Sequence, residues 1–265
     1  PRQVSIGAEG DIGLRNSMPV FNLAWNYDQK FFWDGRAASL EEQMLEPITS
    51  PIEMNNTWAQ VIATLENHSE YPELFEKAFG AATIDSILVT KAIAQFIRTM
   101  ISGNSRFDRY LMGKGELTSA ELRGFQVFMA EEKGDCFHCH GSNLNPLWTD
   151  NLFRNNGLDA TFSDLGLGEV TGDPRDNGKF RTPTLRNLAY TAPYMHDGRF
   201  ATIDDVINHY SEGLVYSETI DPLMKAVAQG GVQLSEEDKQ DLKAFILSLS
   251  DPDFINNPLF QNPNP

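Results

Sequence analysis

Apolar residues recur at helical spacing along most of the chain, while the strict alternation expected of strands is nearly absent. Near the C-terminus Leu242, Phe245, Ile246 and Leu249 follow i, i+3, i+4, i+7 and form one apolar stripe. The stretch from Ile84 to Ile101 predicts the longest helix, with Ile87, Leu88, Ala92, Phe96 and Ile97 facing inward. Helix starts carry capping chemistry: Ser39 with Glu42 and Thr118 with Glu121 fit the reciprocal capping box, and Thr57, Thr83, Thr202 and Ser235 stand directly before amphipathic stretches. The pattern predicts a mainly α protein with long ordered loops.

Two segments break the pattern. Residues 1–35 carry the turn formers Gly7, Gly10, Gly13 and Pro19, and residues 141–183 are rich in Gly, Asn and Asp. Long loops without secondary structure are uncommon in compact domains unless they wrap something. The Met112-Gly-Lys-Gly115 turn, just before the capping box at Thr118, divides the chain into domains 1–112 and 113–265. The tail from Asp251 to Pro265, rich in Asn and Pro, reads as an extended strap, and no internal repeat or low-complexity tract occurs.

The 265 residues, 41% apolar and 11% aromatic, suffice for real cores. No apolar run is long enough to span a membrane, no signal peptide opens the sequence, and the start at Pro1-Arg-Gln3 reads as a processed or trimmed chain. A net charge of −16 argues against nucleic acid and anionic lipid as partners, because both need basic surface. The acidity serves solubility, or steers a basic redox partner.

The chemistry concentrates in Cys136-Phe-His-Cys139-His140, which uses both cysteines of the chain. CxxCH is the attachment signature of c-type haem. Thiols one helical turn apart can add to the two vinyl groups of one porphyrin, and the next imidazole, His140, then becomes the proximal iron ligand. A zinc site would want more ligands than the neighbouring His138, and a redox CxxC pair would want a βαβ context that the flanks lack. Covalent haem attachment takes place outside the bacterial cytoplasm, so the motif predicts a periplasmic or exported protein.

Several segments together resemble the bacterial dihaem cytochrome c peroxidase and MauG superfamily. They are Arg15-Asn-Ser17, Phe32-Trp-Asp-Gly-Arg36, the stretch from Gln43 to Pro47, Pro51-Ile-Glu-Met54, the CxxCH, Arg181-Thr-Pro-Thr-Leu-Arg-Asn187 and Thr191-Ala-Pro-Tyr-Met-His-Asp-Gly198, in the family's order over nearly the whole chain. The resemblance implies two cytochrome c-like helical domains. It also shows a departure: the family carries two CxxCH motifs, and this chain has one, so the N-terminal domain is expected to be incomplete and the chain to begin after the first haem site. One haem c is then expected in this chain and a second in the intact protein.

By the same resemblance Glu53 corresponds to the distal acid over the peroxidatic iron, Gln43 and Pro47 to its pocket neighbours, and Trp33 to the tryptophan between the two haems. A carboxylate there would take a proton from the near peroxide oxygen and return it to the leaving one, and burial would raise its pKa. No histidine precedes His68, so the first haem would be open without reductive activation, as in the MauG branch. For the ligand opposite His140, residue type suggests Met195, whereas the family's position, fourteen residues after His196, falls on Tyr210. Tyr210 is favoured, with His196 beside the haem edge and His209 turned away as an exposed or structural residue. Asn16, with the carbonyls of Thr191 and Pro193, matches the family's calcium ligands.

The resemblance therefore implies a periplasmic oxidoreductase of the peroxidase type. It would reduce hydrogen peroxide with electrons from a small donor such as a cytochrome c or cupredoxin, and the family also allows a homodimer. A monohaem electron carrier and a MauG-like protein-modifying oxidase are the rival readings.

Overall fold

The computed structural model describes residues 2–80 and 83–262; Pro1 and the last three residues of the tail lie outside that set. Its first lobe carries α1 (Leu40–Gln43), α2 (Leu45–Thr49), α3 (Trp58–Glu66), α4 (Tyr71–Phe79), α5 (Ser86–Thr99) and α6 (Arg106–Leu111). There follow α7 (Ser119–Met129), α8 (Phe137–His140), α9 (Leu167–Thr171), α10 (Ile203–Glu212), α11 (Glu236–Ser248) and α12 (Pro252–Ile255). The only sheet among the described residues pairs β1 (Phe153–Arg154) with β2 (Phe180–Arg181), antiparallel, with Phe153 opposite Arg181.

The caps do what the residue types require. Thr118 accepts from the Glu121 amide while the Glu121 side chain returns to the cap, and Thr57, Thr202 and Ser235 each cover an N-terminal amide. Ser39 caps α1, but Glu42 reaches back to the Ala38 amide rather than to the cap's own. Asp85, not Thr83, caps α5, so that helix starts at Ser86.

The face of α5 also differs from the expected one. Val89, Thr90, Ala94 and Ile97 are buried, whereas Ile87 and Phe96 are exposed. Apolar residues lie on more than one side of this helix, so periodicity fixes the helix and leaves its rotation to whatever packs on it. In α11 the stripe is unambiguous: Leu242, Phe245, Ile246 and Leu249 are all buried.

The main core lies where α7 and α11 cross. A Cβ on Gly124 would collide with the Asp241 carbonyl oxygen and meet the Phe245 Cβ at 2.8 Å, so only glycine allows this approach. Around the crossing, the Phe245 ring packs within 5.1–5.5 Å of Phe107, Phe125, Phe128 and Trp148. Each such aromatic pair adds about 1 kcal/mol beyond area burial. The first lobe has smaller cores, one around Phe31, Leu40, Ala94 and Ile97 and one around Phe75, Ile84 and Val89. It also leaves apolar surface uncovered: α3 has no buried residue, and Ile52, Met54, Leu74 and Ile87 are exposed.

Polar clamps join the lobes. Arg186, almost wholly buried, holds both oxygens of Asp108 at 2.7 Å and the Pro146 carbonyl at 2.5 Å. Burial pushes the Asp108 carboxyl up, but the Arg186 hydrogen bonds and charge, with Ser105, outweigh it and hold the group below the ordinary carboxylate range. Asp251 accepts from the amides of Gly103 and Asn104, and Phe254 packs edge-on against Phe21. The tail is thus a strap over the first lobe, though it contains the helical turn α12 rather than running extended.

Gly124→Ala should lower stability by about 3 kcal/mol, because backbone stands where the methyl would go. Gly103→Ala, where nothing lies within 4 Å, should change it by less than about 0.5 kcal/mol. Thermal or denaturant unfolding of the two variants measures the contrast, and equal losses would contradict this account of the crossing.

Candidate functional site

A cavity of about 220 Å³, far more apolar than polar in its walls, opens beside the main core. Cys136, Cys139 and His140 line it from α8, Ile203, Ile207 and Tyr210 from α10, and Leu242 and Ile246 from α11. The two loop-rich segments close it, with Asn16, Ser17, Pro19 and Trp33 from one and Arg154, Asn156, Phe180 and Arg181 from the other. Trp33 is buried, its indole N–H donating to the Asn16 carbonyl at 2.8 Å.

The attachment motif is preorganised by short contacts. The His140 and Gly141 amides donate to the Cys136 and Phe137 carbonyls, closing one helical turn, and Gly141 leaves it at φ +77°. Both cysteines are free thiols, pushed up to about 12 by burial. That environment suits an uncharged thioether and opposes the thiolate that zinc would need. Among the described residues no group of three His, Cys, Asp or Glu side chains is placed to hold a metal ion.

His140 fits the same chemistry. Burial pushes its imidazole down to about 4, so it is neutral and can offer a lone pair to a metal. Its Nδ1 is buried without a hydrogen-bond partner of good geometry, while the Trp148 and Pro183 carbonyls nearby partly offset the burial. An apolar cavity with two protonated thiols and a neutral imidazole on its wall matches what haem c requires of a protein.

The two candidates for the opposite ligand meet at one amide. Asn156 Nδ2 donates to the Tyr210 hydroxyl at 3.1 Å and lies 3.5 Å from the Met195 sulfur. Tyr210 projects from α10, which is capped by the Thr202–Asp205 box. Its hydroxyl is pushed up to about 12 by burial, with the Asn156 hydrogen bond opposing. Met195 sits at φ +73° in a turn closed by the Gly198 amide. His196 is buried and stacked on Phe180 at 3.7 Å, and burial lowers its pKa. His209 is not exposed: it is buried with Nε2 3.0 Å from the Asn156 carbonyl, because α10 turns it inward against the 155–157 loop.

Asn16, Thr191 and Pro193 line the same cavity. Gln43, Pro47 and Glu53 do not line it; they lie on α1, α2 and the turn that follows. The Met54 amide donates to the Pro47 carbonyl, and the Ala8 amide to that of Glu53, which tie this turn to α2 and to the N-terminal loop. Glu53 is half-buried. Asn156 completes the cavity wall without a spacing signal in the sequence, and Arg181, the first residue of the Arg181–Asn187 segment, joins it there.

The family description Di-haem cytochrome c peroxidase matches residues 1–116. The methylamine utilization protein MauG of Methylophilus methylotrophus is 36% identical over 253 residues, covering 94% of this chain and 71% of that protein. The chain belongs to the dihaem cytochrome c peroxidase and MauG family. The cytochrome c peroxidase Ccp of Escherichia coli is 34% identical over 94% of this chain, which spans 50% of that protein's length. A crystal structure of a MauG-like protein associated with microbial copper homeostasis superposes with a TM-score of 0.85 at 34% identity, covering 99% of this chain and 83% of that one. The family is one of peroxidase-type oxidoreductases, and haem c is its cofactor.

Cys136→Ser and Cys139→Ser should each leave one vinyl group conjugated with the porphyrin and move the reduced α-band to longer wavelength. Absorption spectra of the denatured, reduced variants check this, and bands identical to the parent's would contradict thioether attachment at both positions.

Proposed function

We propose that this chain is part of a periplasmic dihaem enzyme that reduces hydrogen peroxide, carrying one haem c on Cys136, Cys139 and His140 and working with a second on a preceding segment of the intact protein. The observation that carries the reading is the convergence of the CxxCH, Trp33 and the Tyr210–Met195 pair on one apolar cavity. The uncovered apolar surface near Ile52, Met54 and α3 supports a further segment over the first lobe. When bound, haem supplies the one-electron and peroxide chemistry.

The chain's own residues then have distinct tasks. Glu53 moves a proton between the two peroxide oxygens through its carboxylate, flanked by Gln43 and Pro47. Trp33 is held rigid by burial and by its bond to the Asn16 carbonyl, which suits a relay of electrons or holes between the lobes. Tyr210 would offer its hydroxyl oxygen to the iron, whose charge would favour the phenolate that burial opposes. The family position, with a rigid capped helix beneath it, supports Tyr210 over Met195.

Calcium fits the junction of the lobes. The Asn16 amide nitrogen donates to the Gln3 carbonyl at 3.0 Å, so its oxygen is free to join the Thr191 and Pro193 carbonyls and water in an oxygen shell. The acidic surface suits a basic electron donor such as a small cytochrome c or cupredoxin. Among the described residues no helix is long and apolar enough to cross a membrane. A homodimer is compatible with this reading. Tyr210 also favours a second reading, a MauG-like oxidase acting on a protein partner, since phenolate stabilises ferric iron where thioether favours ferrous.

In the intact protein Glu53→Gln should cut peroxide turnover by roughly 10²–10⁴-fold while both haems stay attached; a simple electron carrier would turn over no peroxide in either form. Tyr210→Phe should change the ferric visible spectrum, and a methionine-type charge-transfer band already present in the parent protein would instead assign Met195.

A further inference from the structure

Arg181 is the one buried arginine among the described residues for which no carboxylate partner is found. Arg154, the other arginine on the cavity wall, is committed to Asp150 and Asp221, and elsewhere Arg15 is held by Asp34 and Asp164 and Arg186 by Asp108. Arg181 is 5% exposed, and its Nε has no hydrogen-bond partner. Its remaining contacts are long and weak, 3.4 Å to the Lys30 carbonyl, 3.4 Å to Asn151 Oδ1 and 3.6 Å to the Met18 sulfur. A permanent cation buried with so little compensation is expensive unless an anion joins it.

The residue lines the cavity and also a smaller one of about 30 Å³ next to it, whose walls include Met18 and Asn151. Pairing of Arg181 with Phe153 in the β1–β2 ladder and donation of its amide to the Trp33 carbonyl at 2.8 Å hold its backbone in place. Lys225, a further cation on the wall, is paired with Asp135 at 2.6 Å. Burial drives the Arg181 guanidinium down to about 10, with nothing opposing it. Haem brings two propionate carboxylates into an otherwise apolar space, and a buried carboxylate needs a cation as much as this cation needs an anion.

We infer that Arg181 receives a propionate carboxylate of the haem held by Cys136, Cys139 and His140, fixing that edge of the porphyrin beside Trp33. The inference rests on the haem reading above and deepens it. The salt bridge sets the haem's reduction potential, because a fixed positive charge favours the reduced, less positive iron. It also places a charged, hydrogen-bonded link between the porphyrin edge and the backbone of the tryptophan assigned to inter-lobe relay.

The test uses the haem-loaded chain and two variants, Arg181→Gln and Arg181→Lys, with haem content measured by intact mass. R181Q should shift the ferric-to-ferrous equilibrium toward ferric by about tenfold, or about 59 mV for one electron. R181K keeps the charge but loses the two-pronged geometry, so it should stay near the parent potential while moving the propionate bending mode in resonance Raman spectra. If R181Q does not fold, the R181K spectrum decides. A fully loaded R181Q with unchanged potential, an R181K with an unmoved propionate mode, or a parent potential that follows added acetate would overturn the inference alone; the last would mark a solvent anion as the partner. A parent protein without attached haem would overturn the haem reading and this inference with it.

Discussion

Burial of the His140 imidazole constrains everything around it. A neutral ring lies in an apolar wall with Nδ1 lacking a well-formed partner and two protonated thiols on the same short helix. A ligating histidine offers one ring nitrogen to the metal and its other N–H to a carbonyl or carboxylate, and the Trp148 and Pro183 carbonyls stand close enough to His140 to bear on its charge. Membership of a haem c family gives the neutral imidazole a metal to meet, and the walls around it are mainly apolar, with Asn16, Arg154, Asn156 and Arg181 among the polar side chains on them.

The walls exist because of packing some distance away. Gly124 lets α7 meet α11 backbone to backbone, and the aromatic cluster around Phe245 locks the crossing. From that base α10 presents Tyr210, and Trp148, wedged in the cluster, carries the loop that follows α8. The first lobe contributes Asn16 and Trp33 to the same cavity, clamped by Arg15 between Asp34 and Asp164. One lobe thus grips the cofactor motif, while the other supplies a rigid indole at its rim and keeps Glu53 on a separate surface.

Much of this was legible in the sequence because it is local. A hydroxyl before an amphipathic run, a stripe at i, i+3, i+4, i+7 and a five-residue attachment motif carry their physics within one or two turns, so α10, α11 and α8 could be read directly. The rotation of α5 could not, since Ile87 and Phe96 are as apolar as Val89 and Ala94 and only tertiary contacts choose between the faces. Asn156 was invisible for a related reason, and Arg181, though it opens a segment that carries the resemblance, showed no role of its own. An asparagine in a loop looks ordinary until the chain brings Tyr210 and Met195 to it over long sequence separations. Family resemblance carried Trp33, Glu53 and Tyr210, which spacing alone would not have singled out.

Intact mass of the natively produced, denatured chain tests the central claim most directly, since thioether bonds survive unfolding and axial ligation does not. The account predicts the polypeptide plus one haem for the segment described here, with the added mass confined to the peptide containing Cys136 and Cys139. The bare polypeptide mass, from a protein otherwise folded and produced where haem attachment operates, would contradict it.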